Sequence, residues 1–352
     1  MLPVRAETSN PLRILHLDVD PWFAATTAQL VPPFAPVDTM SFSILSPWYW
    51  LLKLTATLAR TLVYMKRGTQ HYLRNRPLPD GIVRETLQVP SRDKGRFIGV
   101  DLYRPTGATA ASKLPVIVNW HGSGYVLPSW GEDREYVVRA VQALGCIVLD
   151  ADYRKAPEYP YPSGHDDAED VVGWVLSQSQ RFDVSRVALS GFSAGAALAL
   201  YTGNFYGPEK IRAISALYPP VSVAPPPNPK PVPYEPRSGL YLSPGLVKLF
   251  NDCYVPILST RQEPKFRIRG LDTSRYPNRI FIACGDVDLL YPSGKKYFEE
   301  LAQTEKDKSV TFVSVEKEEH AWDKMPLVPE SVKARDDVYR QMLDSIKVSF
   351  SS

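Results

Sequence analysis

Residues 191–195 read Gly191–Phe192–Ser193–Ala194–Gly195, a serine framed by glycines, with the apolar run RVALS before it and AALAL after it. A hydroxyl on a tight strand-to-helix turn has the setting of an activated nucleophile. Small neighbours relieve the turn, and the helix N-terminus offers unpaired N–H groups to a developing negative charge. Upstream, LPVIVNW runs into His121–Gly122–Ser123–Gly124. A glycine-rich turn lets the backbone approach a substrate oxygen closely. The expected oxyanion-hole donors are the N–H groups of Gly122 and Ser123, joined by that of Ala194. A phosphate loop would need Lys and Ser/Thr after the glycines, and the sequence lacks them. His121 is read as a hydrogen-bonding residue that shapes the loop rather than as a base.

A nucleophilic serine needs a base and a group to orient it. In the strand–Gly-x-Ser-x-Gly–helix setting these follow in the order serine, acid, histidine. Of the five histidines, His16, His71, His121, His165 and His320, only His320 follows Ser193. It stands in VEKEEHAW, after a strand-like run. RIFIACGDVDLL supplies Asp286 and Asp288 beyond another strand. Asp288 is preferred as the acid, with Asp286 in reserve, and Glu316, Glu318 and Glu319 read as exposed charges. The acid holds the imidazole tautomer and stabilises the imidazolium. These parts specify acyl transfer. Ser193 attacks an ester carbonyl, His320 moves the proton to the leaving alcohol, and water resolves the acyl-enzyme, with no metal or organic cofactor. The same parts could serve a lyase or cyclase, or a ligand-binding protein without turnover, and both alternatives stay open.

The elements that must carry these residues follow from periodicity. From Ile82 onward, short apolar runs alternate with amphipathic ones, the pattern of a mostly parallel sheet with helices on both faces. Strands are expected near 84–89, 97–104, 116–120, 146–151, 187–189, 213–217, 280–283 and 310–315. Helices should start near Asp133, Asp166, Ala194, Pro244, Pro292 and Ser331. Residues 1–85 read as a mostly helical region and 86–352 as the catalytic domain, interrupted by an insertion at about 219–256. The stretch Pro219 to Pro236 is too proline-rich for helix or central strand.

Length allows one large domain or two smaller ones, and a net charge of +3 without a Lys/Arg run argues against nucleic acid as a partner. Three scattered cysteines, Cys146, Cys253 and Cys284, form neither a disulfide framework nor a thiolate zinc site. They suggest an intracellular, cytoplasmic setting, as does a start without a secretory signal pattern. The apolar stretch 42–62 is broken by Lys53 and Arg60, and its charge-free part is shorter than the roughly 20 residues a span needs. Lys53, Arg60 and Arg67 share one helical stripe, so an amphipathic helix packed on its own protein is expected, with interfacial membrane contact as the alternative. Phe42, Trp48, Tyr49 and Trp50 there suit a hydrophobic acyl or polycyclic substrate, such as a secondary metabolite, or simply a cap core.

The combined motifs resemble those of the hormone-sensitive-lipase-like α/β-hydrolases, especially fungal carboxylesterase-like members. The family's HGGG loop is matched by His121–Gly124 and its GDSAG elbow by Gly191–Gly195. Its DYRLAPE segment is matched within Asp152–Pro162, and its acid segment by GDVDLLYPSG, which aligns Asp288 with the catalytic acid. The resemblance runs from about Val116 to His320. It implies an α/β-hydrolase fold, ester hydrolysis, and a helical cap built from residues 1–85 and the insertion. Two departures stand out. Ser123 replaces the middle glycine, which keeps its donor if φ stays negative, and Phe192 replaces the elbow aspartate, adding apolar bulk beside the serine.

Overall fold

The computed structural model describes residues 44–67, 74–109, 112–222 and 235–351. His16, Phe42, His71 and most of the proline-rich stretch lie outside them. Eight strands form one sheet: β1 (Ile82–Pro90), β2 (Phe97–Pro105), β3 (Val116–Trp120), β4 (Ile147–Ala151), β5 (Val187–Phe192), β6 (Ala213–Leu217), β7 (Arg279–Gly285) and β8 (Ser309–Val315). Their spatial order is β1-β2-β4-β3-β5-β6-β7-β8. β1 pairs antiparallel with β2, and β2 with β4; the other pairs are parallel.

Composition explains the arrangement. β3, β4, β5 and β6 are buried along their whole length and read as near-continuous apolar runs, as strands covered on both faces must. β8, at one edge, mixes exposed and buried positions.

The helices are α1 (Pro47–Arg67), α2 (Arg134–Leu144), α3 (Ser163–Ser177), α4 (Ala194–Tyr206), α5 (Pro244–Tyr254), α6 (Tyr291–Thr304) and α7 (Pro329–Ser351). One core layer packs α3, α4 and α6 on the sheet. The other packs α2 and α7 on the opposite face. The crossovers leave the C-terminal ends of β5, β7 and β8 together on one rim, where ligands gather in open α/β sheets. β1 begins at Ile82, a few residues before the expected boundary at 85.

α1 packs on its own protein, as an amphipathic helix should. Its inward side buries Tyr49, Leu52 and Ala56 and packs on α5. Arg60 also points inward. Its guanidinium donates to the carbonyls of Val126 and Ala156 and forks onto the Glu158 carboxylate. Arg60, the middle cation of the stripe, is therefore turned to protein rather than to solvent. The outward side instead carries Trp50, Leu54, Leu58 and Met65, each more than half exposed. No helix among the described residues is long and apolar enough to cross a membrane.

Candidate active site

Ser193 sits between β5 and α4 with φ 50° and ψ −120°, a conformation few side chains adopt. The turn is so tight that a Cβ on Gly191 would overlap the Gly195 carbonyl, and one on Gly195 would overlap that of Trp120. This is the physical reason for both glycines. The Ser193 N–H donates to the Leu217 carbonyl at 3.0 Å, tying the elbow to β6.

Loops from three strands converge on it. His320, beyond β8, brings Nε2 to 2.9 Å from the Ser193 hydroxyl, which donates to it. Its Nδ1–H donates to Asp288 Oδ2 at 2.7 Å. Asp288, beyond β7, accepts the Leu290 N–H at 2.9 Å on its other oxygen and is nearly fully buried. Asp286 faces elsewhere and accepts the Lys317 N–H at 2.7 Å. The Cys284 thiol lies 3.7 Å from Asp288, and burial, then that carboxylate, push its pKa well up.

The Gly-rich loop meets Ser193 on the other side. A Cβ on Gly122 would stand 3.2 Å from the Ser193 Cβ. Positive φ falls on Gly124 and Tyr125 but not on Ser123, so the serine is unstrained. Among the described residues neither the Gly122 nor the Ser123 N–H donates to a backbone carbonyl. Proton accounting fixes the Ser123 side chain. Tyr153 donates its only hydroxyl proton to the His121 carbonyl at 2.9 Å. The Ser123 hydroxyl, 2.6 Å from the Tyr153 oxygen, must therefore donate to it. The loop is pinned through its side chains while its N–H groups stay unengaged.

Three sequence expectations need correction. The His121 ring is fully buried with no hydrogen bond to either nitrogen. Burial, then Lys155 and Lys324, hold its pKa well below 6.5. It shapes the loop through its carbonyl and through edge contact with the Tyr153 ring. Glu318 is not an exposed charge: it is fully buried, accepts from the Ser331 hydroxyl at 2.7 Å and lies 3.4 Å from Arg237. Phe192 does not add bulk toward the substrate. It points into the α2–α7 layer against Tyr136 and Tyr339.

Several residues that shape this site carry no motif. The Lys324 ammonium lies 3.3 Å from the Phe192 ring centre, 2.6 Å from Asp133 and 3.1 Å from Asp323. Burial opposes its charge, but the two carboxylates raise its pKa above the ordinary lysine value. Asp323 accepts from the Tyr218 and Tyr339 hydroxyls, both at 2.6 Å, and the Tyr218 ring meets the His320 imidazole edge-on at 4.7 Å. Tyr153 is the one with a sequence signal, since it lies in the DYR segment. The loop that carries His320 is also tied to the chain that enters α5. Arg237 N–H donates to Lys317, Glu319 N–H to Ser238 and Leu240 N–H to His320, all between 2.7 and 2.9 Å.

The family model described as the alpha/beta hydrolase fold matches residues 117–324. The chain belongs to this family. That bears out the α/β-hydrolase family read from the motifs. Ethyl acetate hydrolase of Pseudomonas putida is 28% identical over 224 residues, covering 62% of this α/β-hydrolase and 69% of that protein. Probable carboxylesterase 3 of Arabidopsis thaliana is 32% identical over 110 residues, 29% of this chain and 35% of that one. The chain thus spans only about a third of the length of some of the plant relatives it matches. An esterase from Pyrobaculum calidifontis superimposes with a TM-score of 0.70 at 23% identity, covering 86% of this chain and 98% of that one, a likeness of fold.

Proposed function

We propose that the protein is a serine hydrolase that cleaves a carboxylic ester through an acyl-enzyme on Ser193. The observation that carries this is the unbroken hydrogen-bonded line from Ser193 Oγ through both ring nitrogens of His320 to Asp288. The similarity to carboxylesterases and to an ethyl acetate hydrolase supports the same reading. His320 removes the hydroxyl proton as Ser193 attacks. Gly122, Ser123 and Ala194 N–H groups receive the oxyanion, a contribution typically worth about 100- to 1000-fold per donor. His320 then protonates the leaving alcohol, and an activated water repeats the sequence in reverse. Asp288, bonded on both oxygens, holds the ring with Nε2 facing the serine. A small apolar ester is the substrate class in view.

The test is turnover of p-nitrophenyl esters together with labelling by a fluorophosphonate probe. Wild type should do both, and Ser193→Ala neither. Labelling without turnover would replace the hydrolase with a lyase or cyclase on the same scaffold. Neither labelling nor turnover would leave a ligand-binding protein.

A second reading concerns α1. Its outward Trp50, Leu54, Leu58 and Met65, on a helix that contains Lys53, Lys66 and Arg67 but no acidic residue, support peripheral contact with an anionic lipid surface. Co-sedimentation with vesicles containing about a third phosphatidylserine, a mixture chosen for surface charge, should capture wild type. Leu54→Glu/Leu58→Glu should stay in solution. Equal partitioning of both would refute it.

A further inference from the structure

The stereochemistry of an acyl-enzyme assigns each side of the site. The tetrahedral carbon on Ser193 carries four groups. Its oxyanion must face Gly122 and Ser123. Its leaving oxygen must face His320, which protonates it. The acyl substituent takes the remaining direction, and the residue that follows the two loop donors is Gly124.

The space beside Gly124 is filled. A Cβ built there would overlap the ring of Phe250 from α5, so the ring lies flat against the loop backbone. Phe250 also belongs to a small apolar cluster beside the main core layer. It comprises Leu242, Leu246, Val247, Phe250, Leu289 and Leu290. Leu289 and Leu290 directly follow Asp288, and Leu242 is two residues beyond Leu240, which bonds the His320 carbonyl. The cluster therefore runs from the oxyanion side of the nucleophile to its acid–base side. Phe250 packs against the main core layer as well, so its ring lies between the Gly124 backbone and that layer.

We infer that Phe250 is a specificity-determining residue that stops the acyl pocket and restricts the enzyme to short acyl chains. This rests on the proposed acyl-enzyme at Ser193 and goes beyond it by naming the substrate class. Trimming the ring opens space lined by Leu246 and Val247, into which further methylenes are buried. Each newly buried methylene is worth about fourfold in kcat/KM.

The experiment compares wild type, Phe250→Leu and Phe250→Ala. It uses p-nitrophenyl esters from acetate to decanoate and, independently of turnover, inactivation by p-nitrophenyl alkylphosphonates from ethyl to decyl. The leucine variant guards against loss of fold in the alanine variant. Wild type should favour two- to four-carbon acyl groups. Both variants should raise the octanoate-to-acetate ratio of kcat/KM at least about tenfold, with phosphonate rates shifting in parallel. Unchanged profiles, or a wild type that already prefers long chains, overturn the inference. Phosphonate preference that shifts without any ester turnover supports the pocket stop and refutes hydrolysis. Absence of phosphonate reaction in every protein refutes both.

Discussion

The ammonium of Lys324 rests 3.3 Å from the ring centre of Phe192, the residue immediately before the serine at the elbow. A cation against an aromatic face is stabilised by the ring quadrupole. Here the cation is also paired with Asp133 and Asp323. Lys324→Met leaves two buried carboxylates without their counter-ion and should cost about 3–5 kcal/mol. Phe192→Leu removes only ring contacts and should cost about 1–2 kcal/mol. Urea unfolding of the two variants reads the difference, and the reverse order would show that the ion pairs contribute little.

The assignment of the acid is open to direct comparison. Asp288→Asn should lower kcat about 10,000-fold by favouring the wrong imidazole tautomer. Asp286→Asn, whose parent bonds the Lys317 backbone, should stay within about tenfold of wild type. Steady-state kinetics on a p-nitrophenyl ester separate the two.

Tyr153→Phe removes the acceptor of the Ser123 hydroxyl and the donor to the His121 carbonyl. Two buried polar groups lose their partner, at about 1–3 kcal/mol each. Loosening the oxyanion loop should lower kcat more than it raises KM. Ser123→Gly should lose less, because it leaves no orphaned hydroxyl. The kcat and KM of the two variants check this, and a pure KM effect would place Tyr153 in substrate binding instead.

Two fully buried histidines predict a weakness to acid. Burial lowers the pKa of His165 to about 3 and that of His121 well below 6.5. The unfolded chain takes up protons as pH falls through 6.5, while the folded protein does not, so stability falls with pH across that window. By pH 5, His165 alone should account for about 2 kcal/mol. His165→Gln should flatten the slope of unfolding free energy between pH 6.5 and 5. An unchanged slope would show that the ring is protonated in the fold.

Much of this was readable in the chain. Predicted strands 116–120 and 213–217 agree with β3 and β6 at both ends, because buried parallel strands are short, unbroken apolar runs. Ser193, His320 and Asp288 were legible because each follows a strand and their order is constrained. Lys324 was not, since nothing local distinguishes a lysine that will lie beneath a phenylalanine 132 positions away. The outward face of α1 was not legible for a related reason. Helical periodicity finds a stripe of charge but not which side the protein occupies, and Arg60 turned inward because Glu158 waits there. Glu318 read as solvent-facing because the Ser331 hydroxyl that receives it is supplied by a later helix.

The ladder joining residues 237–240 to 317–320 has an engineering consequence. Chimeras that transplant the segment around residues 237–240 from a relative would put at risk three backbone bonds to the imidazole's own loop. The two stretches are therefore a single exchangeable cassette. Swapped together they should retain turnover, whereas either swapped alone should yield a folded but idle protein.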